Sequence, residues 1–310
     1  MTAGHEARVR KVEVGEVRLR TSVRGEGRPL LLVTGLGASL DLAEPFERAL
    51  AARGRQVISF DAPGIGGSTP YRSPRRMPGL VRTVTGMLDA LGYDEVDVFG
   101  VSLGGVVAQQ LAKQAPHRVR GLVLAATAPG VGGMPGAPSA LLHLTTPRRY
   151  RDPEHYLRIA GSIYGGMART DPRRLLQTVV GRVRPPSAIG YLGQLYAIAG
   201  WSSMPWLHTL RQPTLVITGD DDPIIPLVNG RLLAWRIPDA TLHVVRGGGH
   251  LFILERPDEI AGLVTRFLDG DRLGETVRVD ASRWTARPPG GTPAPRWPRP
   301  SAGWRRSCRC

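Results

Sequence analysis

Cysteine, lysine and long apolar stretches are all scarce in this chain of 310 residues. The two cysteines, Cys308 and Cys310, stand at the extreme C-terminus, which excludes a core cross-linked by disulfides as in small secreted domains. The first residues, MTAGHEARVRKV, lack the apolar stretch of a secretory signal. No apolar run approaches the roughly 18 residues that cross a bilayer. We therefore expect a soluble cytoplasmic protein with no transmembrane segment.

Lysine occurs only at Lys11 and Lys113, so nearly all of the 41 basic residues are arginine, and the formal net charge is +15. Residues 271–310 hold nine arginines against three acidic residues, a local balance of +6 that leaves +9 spread along the rest of the chain. A nucleic-acid-binding protein would show a basic stripe interleaved with aromatic residues, and none is visible before residue 271. We expect a basic, solvated surface and no nucleic-acid partner.

Six short, apolar, β-rich runs alternate with longer helix-like segments. The runs are Leu30–Thr34, Val57–Asp61, Val96–Gly100, Leu122–Ala126, Thr214–Thr218 and Thr241–Val245. Several are continuously apolar, as strands buried on both faces are. A pair of amphipathic segments near Val9–Val23 predicts an antiparallel β-hairpin before these six runs. The pattern predicts an α/β fold with a mostly parallel central sheet and helices on both faces.

The alternation of β-rich runs and helix-like segments is interrupted between Ala126 and Leu210. Helix-like segments such as Glu154–Ile163 and Arg173–Val180 occupy this stretch. An insertion that follows a core strand in this way predicts a helical cap over the C-terminal edge of the sheet.

The chain is thus expected to divide into a core, an insertion and a tail. The predicted limits are 9–127 and 209–270 for the core, 128–208 for the cap insertion and 271–310 for the tail. The tail is rich in Arg, Pro, Gly and Trp without periodicity, so we expect it to have no fixed structure.

The most informative motif is Gly100-Val101-Ser102-Leu103-Gly104, which fits G-x-S-x-G between a β-like run and a helix-like run. A turn this tight forces Ser102 into a strained backbone conformation and leaves room only for glycine at positions 100 and 104. The strain lifts the hydroxyl to the top of the sheet, in front of the N-terminus of the following helix. We predict that Ser102 is a catalytic nucleophile.

A serine hydroxyl needs a base to take its proton during attack. The segment Gly247-Gly248-Gly249-His250-Leu251 follows the last predicted strand, where a glycine-rich loop could carry a histidine back over the serine. We predict that His250 is the base.

The base in turn needs a carboxylate that fixes its tautomer. Asp220, Asp221 and Asp222 follow the strand that ends at Thr218. Asp222 stands three residues after Gly219 and before an apolar pair and proline, so it is predicted to be the acid. Asp220 and Asp221 are expected to cap the next helix or to face solvent. The chain order Ser, Asp, His is that of the α/β hydrolases.

Attack on an ester places negative charge on the carbonyl oxygen, which two backbone N–H groups must stabilise. We expect these donors to be the amides of Leu103, after the nucleophile, and of Leu36, in the loop of residues 34–39. The loop of residues 61–68 is interpreted as structural, because its Gly and Pro residues shape a turn without supplying chemistry.

Longer strings resemble one family, the intracellular depolymerases of medium-chain-length poly(3-hydroxyalkanoates). The strings are GLGAS (35–39), FDAPGIGGSTP (60–70), LVLAATAPG (122–130), TPRRY (146–150), RIAGSIYGG (158–166), GWSSMPWLH (200–208), GDDDPIIPLVNGRLLAWRIPDA (219–240) and GHLFILERP (249–257). The resemblance runs from about Val12 to Leu268, through cap and core. One departure is Leu103, where relatives have an aromatic residue. It puts the shape of the acyl pocket in question but not the mechanism.

The resemblance implies an α/β-hydrolase fold and hydrolysis of the ester bonds of a stored hydrophobic polyester. The products would be 3-hydroxy fatty acids or oligomers, and the enzyme would work in the cytoplasm, associated with the surface of storage granules. No cofactor and no metal are expected. The candidates for an apolar lining of the cap are Leu141, Leu142, Ile163, Tyr164, Tyr196, Trp201 and Trp206.

Other functions of the same fold stay open. General carboxylesterases, lactonases and hydrolases of C–C bonds in β-diketone-like compounds use the same three residues. Dehalogenases and epoxide hydrolases are disfavoured because they need Asp at position 102, and polyester synthases need Cys there. A non-catalytic binding protein of this fold is disfavoured by the complete Ser, Asp and His set.

The tail gives a first testable prediction. Truncation after Asp271 removes no predicted strand and no predicted site residue, so we expect unchanged hydrolysis of soluble esters. Loss of the nine arginines should weaken only the binding to anionic surfaces. Ester turnover and vesicle co-sedimentation of the two forms check this, and a truncated chain that no longer folds would contradict it.

Overall fold

A computed structural model describes residues 6–179, 184–271 and 273 of the chain. Within these residues the predicted α/β fold is confirmed: one sheet of eight strands has the order β1-β2-β4-β3-β5-β6-β7-β8. The strands are β1 (Arg8–Val14), β2 (Val17–Arg24), β3 (Arg28–Val33), β4 (Arg55–Phe60), β5 (Val96–Val101), β6 (Val119–Ala125), β7 (Thr214–Gly219) and β8 (Ala240–Val245).

The direction of the strands agrees with the sequence pattern. β3 to β8 run parallel to one another and coincide with the six predicted runs, whereas β2 is antiparallel to both β1 and β4. β1 and β2 form the predicted hairpin. Parallel strands expose their carboxyl ends at one edge of the sheet, so the loops that follow β3, β5, β7 and β8 gather there.

Helices cover both faces of the sheet. They are α1 (Leu40–Ala51), α2 (Met77–Leu91), α3 (Leu103–Gln114), α4 (Pro138–His143), α5 (Pro153–Tyr164), α6 (Gly166–Thr170), α7 (Pro172–Val179), α8 (Ala188–Ile198), α9 (Leu227–Arg236), α10 (Phe252–Glu255) and α11 (Pro257–Leu268). α1 and α11 pack on one face and α2, α3 and α9 on the other. Leu30 and Leu32 point to the first face and Leu31 to the second, and none of the three is exposed. A strand between two helical layers has to be apolar on both sides.

The insertion between β6 and β7 contains α4 to α8, which include the two predicted helices as α5 and α7. We call residues 126–213 the cap. It is tied to the core at several points, one of which joins α8 to the loop after β4. There Ser187 Oγ donates to the carbonyl oxygen of Gly64 at 2.7 Å. The predicted domain limits at residues 128 and 208 stay a prediction, and residues 274–310 of the predicted tail lie outside the described residues.

Several arginines lie inside the fold and do not contribute to the basic, solvated surface that the sequence predicts. Arg55, only 2% exposed, donates to the carbonyl oxygen of Thr265 at 3.0 Å and lies 2.6 Å from a carboxylate oxygen of Asp269. Arg24 is also buried and pairs with Glu47 at 3.5 Å. Their guanidinium groups satisfy backbone and carboxylate acceptors inside the fold, which composition alone does not reveal.

None of the helices in the described part of the chain has the length and apolar character needed to cross a lipid bilayer.

Two glycines of α8 allow a matched test of how the cap packs. A Cβ on Gly190 would lie 2.1 Å from the carbonyl oxygen of Gly64, whereas a Cβ on Gly193 would meet nothing within 4 Å. Gly193→Ala should raise the free energy of unfolding by about 0.5–1 kcal/mol through helix propensity. Gly190→Ala should lower it by about 1–3 kcal/mol because the contact is overpacked. Urea unfolding of both variants checks the pair. Equal effects would show that α8 is not in this contact with the core.

Candidate active site

The serine of the G-x-S-x-G motif occupies a tight turn between β5 and α3. Ser102 has φ 57° and ψ −120°, in the left-handed half of the Ramachandran plot that disfavours side chains. Its N–H donates to the carbonyl oxygen of Ala125 at 2.9 Å. A Cβ on Gly100 would lie 2.3 Å from the carbonyl oxygen of Gly104, and one on Gly104 would lie 2.0 Å from that of Val33. Both glycines are therefore required for the backbone to pass, as the sequence predicts.

The three predicted side chains meet above this turn. His250 Nε2 lies 3.0 Å from Ser102 Oγ, and His250 Nδ1 lies 2.8 Å from Asp222 Oδ2. An ionised carboxylate only accepts hydrogen bonds, so the assignment that satisfies both contacts puts the imidazole proton on Nδ1. Nε2 is then free to accept the proton of the serine hydroxyl. His250 and Asp222 are each 6% exposed.

Asp222 is held by the turn that follows β7. Its Oδ1 accepts hydrogen bonds from the backbone N–H groups of Ile224 and Ile225, both at 2.9 Å. With one oxygen fixed by two amides, the other oxygen is directed at the imidazole. The acid thus has a fixed position and a negative charge that can balance an imidazolium.

The two neighbouring aspartates have other contacts. Asp220 is exposed, as one expectation had it, and accepts from the N–H of Gly247 at 2.7 Å. Asp221 accepts from the N–H of Gly166 at 2.8 Å and pairs with Arg169 at 2.9 Å. The hydrogen bond from Arg169 lowers the pKa of Asp221 below its ordinary value. The alternative that they cap the next helix, α9, is wrong, because Asp220 bonds to the loop after β8 and Asp221 bonds to α6 of the cap.

The two amides predicted as oxyanion donors lie beside the serine. Leu103 is the first residue of α3, and the loop of Leu36 packs so close that a Cβ on Gly35 would lie 3.7 Å from Ser102 Oγ. Within the described residues, neither the N–H of Leu36 nor that of Leu103 donates to another protein group. Both residues line the cavity that contains Ser102. The two donors remain available to a ligand there.

A cavity of about 990 Å³ opens onto Ser102 and His250 and extends between the core and the cap. Its wall is largely apolar, with contributions such as Leu42, Val106, Met134, Leu195, Trp201 and Ile224. No Asp or Glu of the described residues lines it. Arg149 and Arg151 are the arginines in its lining, so a cavity of this size and character suits a large, mainly apolar ligand and disfavours a cationic one.

The predicted apolar lining is right for three side chains and wrong for four. Leu141, Tyr164 and Trp201 line the cavity, whereas Leu142, Ile163, Tyr196 and Trp206 do not. Leu142 is 68% exposed on α4, and Ile163 is buried in the core on another side of α5. The ring of Tyr196 packs against the guanidinium of Arg76, and Trp206 makes an edge-to-face contact with Trp201. A helix turns each residue by about 100°, so neighbours in sequence face different surroundings.

Two residues of the site, Arg149 and Tyr150, carried no role in the sequence analysis, and Tyr164 has contacts beyond the apolar lining predicted for it. Arg149 and Tyr150 both line the cavity and donate to the carbonyl oxygen of Leu36, although the TPRRY string that contains them served only as a mark of resemblance. Tyr164 stacks on His250 with ring centroids 6.5 Å apart, and its carbonyl oxygen accepts from the N–H of His250 at 2.6 Å. Burial raises the pKa of Tyr164, so its hydroxyl stays neutral.

Comparisons with known proteins show the family to which this chain belongs. Residues 28–257 match the profile of the α/β-hydrolase fold family. A poly(3-hydroxyalkanoate) depolymerase from Ectopseudomonas oleovorans is 48% identical over 267 residues, which cover 85% of this chain and 93% of that protein. The chain belongs to this depolymerase family of the α/β hydrolases.

More distant members of the fold have other substrates in their names. A 2-hydroxy-6-oxononadienedioate/2-hydroxy-6-oxononatrienedioate hydrolase from Burkholderia vietnamiensis is 31% identical over 84% of this chain and 94% of its own length. The crystal structure of an enol-lactonase from Burkholderia xenovorans LB400 superposes with a TM-score of 0.71 at 25% identity, over 84% of this chain and all of that one. The fold is thus shared by enzymes named for different substrates, and the substrate has to be argued from the site.

The adjacent residues Asp221 and Asp222 allow a direct test of which aspartate is the partner of His250. Asp222→Asn should lower kcat on a nitrophenyl ester by about 10⁴-fold, because the amide favours the wrong tautomer of His250. Asp221→Asn makes the same change one residue away and should cost less than about fivefold, since the carboxylate of Asp221 bonds to Gly166 and Arg169 of the cap and not to His250. Steady-state kinetics of both variants decide between them. A larger loss in Asp221→Asn would move the acid to that residue.

Proposed function

We propose that this chain is a serine hydrolase that cleaves the ester bonds of medium-chain-length poly(3-hydroxyalkanoate) inside the cell. The observation that carries the proposal is the apolar cavity that ends at the Ser102–His250–Asp222 contacts, in a chain 48% identical to a poly(3-hydroxyalkanoate) depolymerase. The products are 3-hydroxy fatty acids or short oligomers.

The first half of the reaction forms an acyl-enzyme. Ser102 Oγ attacks the ester carbonyl carbon while His250 Nε2 takes its proton, and Asp222 balances the charge of the imidazolium. The oxyanion accepts hydrogen bonds from the N–H groups of Leu36 and Leu103, each of which contributes about 2.7–4 kcal/mol to such a transition state. The intermediate collapses as His250 returns the proton to the departing alkoxide, which leaves as the 3-hydroxyl group of the next monomer.

The second half releases the acyl group. A water molecule takes the place of the departed alcohol, His250 removes one of its protons, and the hydroxide attacks the carbonyl carbon of the acyl-enzyme. The same two amides stabilise the second oxyanion. Collapse returns the proton to Ser102 Oγ and frees a carboxylic acid, which loses its remaining proton to solvent. No step requires a cofactor or a metal.

The cavity supports a polyester with alkyl side chains. At about 990 Å³ it stands at the upper end of the range of ligand sites in proteins, roughly 300–1,000 Å³, so it has room for more than one monomer. Its apolar wall would bury the alkyl side chains, and each buried CH₂ contributes about 0.8 kcal/mol.

The rim of the cavity supports contact with the polymer itself. Val131, Met134 and Leu141 line the cavity and are also among the exposed large apolar side chains of the protein. An exposed apolar patch that continues into an active site suits an amorphous apolar surface better than a dissolved small molecule. We propose the surface of the storage granule as the partner of this patch.

Chain-length selectivity is the main test of the substrate. Each C8 hydroxyacid monomer has four more methylenes than a C4 one. Burial of three of them should favour C8 over C4 oligomers by about 2.4 kcal/mol, or roughly fiftyfold in kcat/KM. Leu103 in place of an aromatic residue affects the size of this ratio rather than its direction. The measurement is kcat/KM on matched C4 and C8 oligomers, with turbidity loss of amorphous medium-chain granules measured in parallel.

Adjacent leucines of α4 supply the control. Leu141 lines the cavity and Leu142 does not, so Leu141→Ser should reduce the C8/C4 ratio about threefold and Leu142→Ser should leave it unchanged. Ser102→Ala should abolish both activities. Intact granules together with rapid hydrolysis of C4 esters, lactones or β-diketones would contradict the polyester substrate and favour one of the alternative activities.

A further inference from the structure

The peptide bond between Leu36 and Gly37 is held at both ends by side chains of the cap. Tyr150 donates its hydroxyl to the carbonyl oxygen of Leu36 at 2.6 Å, and a guanidinium N–H of Arg149 donates to the same oxygen at 3.3 Å. On the other side of the bond, the N–H of Gly37 donates to Gln194 Oε1 at 2.8 Å. We call Arg149, Tyr150 and Gln194 the loop clamp.

The loop itself provides little to fix this bond. Its internal hydrogen bonds are those from the N–H of Ala38 to the carbonyl oxygen of Gly35, at 3.1 Å, and from Thr34 Oγ1 to the carbonyl oxygen of Ala38, at 3.0 Å. Neither of these hydrogen bonds involves the N–H or C=O group of the Leu36–Gly37 peptide. Gly37 has φ +74°, and glycine has the largest conformational freedom of any residue. The orientation of the Leu36–Gly37 peptide therefore depends on contacts from outside the loop.

Space as well as hydrogen bonding couples the loop to the cap. A Cβ on Gly37 would lie 2.8 Å from the ring of Tyr150 and 2.9 Å from that of Tyr191. The glycine thus gives the tyrosines access to the backbone, which is the close approach that a hydrogen bond to the Leu36 carbonyl oxygen requires. Glycine at position 37 therefore serves both the left-handed backbone and the close approach of the cap.

The clamp residues are themselves fixed. Arg149 and Gln194 are 6% and 7% exposed. Arg149 donates to the hydroxyl of Tyr191 at 2.8 Å, and that hydroxyl donates to the carbonyl oxygen of Leu144 at 2.6 Å. Buried side chains joined in this way have few rotamers available, so they can impose one geometry on the peptide they contact.

The charge of Arg149 adds an electrostatic effect. No carboxylate in the described part of the chain forms an ion pair with this guanidinium, although it is buried. A buried cation with no counter-charge produces a positive potential in a region of low dielectric constant. The atom it contacts belongs to Leu36, whose N–H faces the developing negative charge of the proposed reaction.

We infer that the loop clamp positions the oxyanion hole, so that the cap completes the catalytic machinery as well as covering the substrate. The inference rests on the proposed serine-hydrolase mechanism, in which the N–H of Leu36 is one of the two oxyanion donors. Arg149, Tyr150 and Gln194 are positioning residues. They fix the Leu36–Gly37 peptide and so restrict the backbone torsions at Leu36, whose own N–H belongs to the preceding peptide. Losing part of the clamp should weaken binding of the transition state and leave binding of the ground state unchanged.

Tyr150→Phe tests this by removing one hydroxyl. We expect kcat on a soluble nitrophenyl ester to fall about tenfold with KM changed less than twofold, a smaller loss than the roughly 10²–10³-fold of removing an oxyanion donor itself. An alkylboronic acid, whose adduct with Ser102 places an oxygen in the oxyanion hole, should bind weaker by a similar factor. Affinity for a 3-hydroxy acid product should stay the same.

Tyr71→Phe is the matched control. The Tyr71 hydroxyl also makes a partly buried hydrogen bond of 2.6 Å, to Thr83 Oγ1, and Tyr71 does not line the cavity. The Tyr71→Phe variant loses the same hydroxyl group but makes no change at the loop of residues 34–39, so its kcat and boronic-acid affinity should equal those of the wild type. Gln194→Met, which releases the N–H of Gly37 at nearly constant volume, should repeat the pattern of Tyr150→Phe.

The outcomes separate the inference from the proposed function. Wild-type kcat and boronic-acid affinity in both Tyr150→Phe and Gln194→Met would overturn the clamp, and so would a raised KM with unchanged kcat, which would indicate direct substrate contact. Labelling of wild-type Ser102 by a fluorophosphonate tests the mechanism independently of these variants. An unlabelled wild type would overturn the proposed mechanism and the inference with it. A labelled wild type with unaffected variants would overturn the inference alone.

Discussion

The turn from β5 into α3 is so tight that the carbonyl oxygens of Val33 and Gly104 leave no room for side chains at Gly104 and Gly100. This close approach of backbone to backbone forces Ser102 into its strained conformation and aims its hydroxyl away from the sheet. The other groups of the site, including His250 and the loop of Leu36, lie around that hydroxyl. Strain of this kind persists only where surrounding packing fixes it, and here two buried helical layers on a parallel sheet provide the packing.

The core places the proposed nucleophile, but the cap contacts the loops that surround it. Tyr164 accepts the N–H of His250, and Gly166 donates to Asp221 at the end of β7. Tyr150 donates to the carbonyl oxygen of Leu36 on the opposite side of the serine. Cap and core therefore form one hydrogen-bonded unit around the site, and changes in the cap are expected to affect chemistry as well as access.

The cavity between cap and core combines a largely apolar wall with the polar groups of Ser102 and His250 and a few further polar side chains, among them Arg149 and Arg151. Aliphatic and aromatic side chains of both core and cap form most of the wall. Such a lining serves the two tasks of a polyester hydrolase. The apolar wall would hold the alkyl groups by burial, and Ser102 and His250 would act on the ester bond in surroundings from which most water is excluded.

The sequence alone determined where the strands lie, that they are buried on both faces, and which residues meet at the site. Continuous apolar runs mark strands between two helical layers, and the glycines around Ser102 and His250 mark positions where backbone must pass close to backbone. These are local requirements, and a local pattern records them. The sequence could not decide which side chains of α4, α5 and α8 face the cavity, because that depends on how each helix is rotated against its neighbours. It also gave no role to Arg149, Tyr150 and Gln194, which reach Leu36 and Gly37 from more than a hundred residues away. Only the tertiary structure brings such distant groups together, since their contacts arise from the docking of cap on core and leave no periodic trace in the chain.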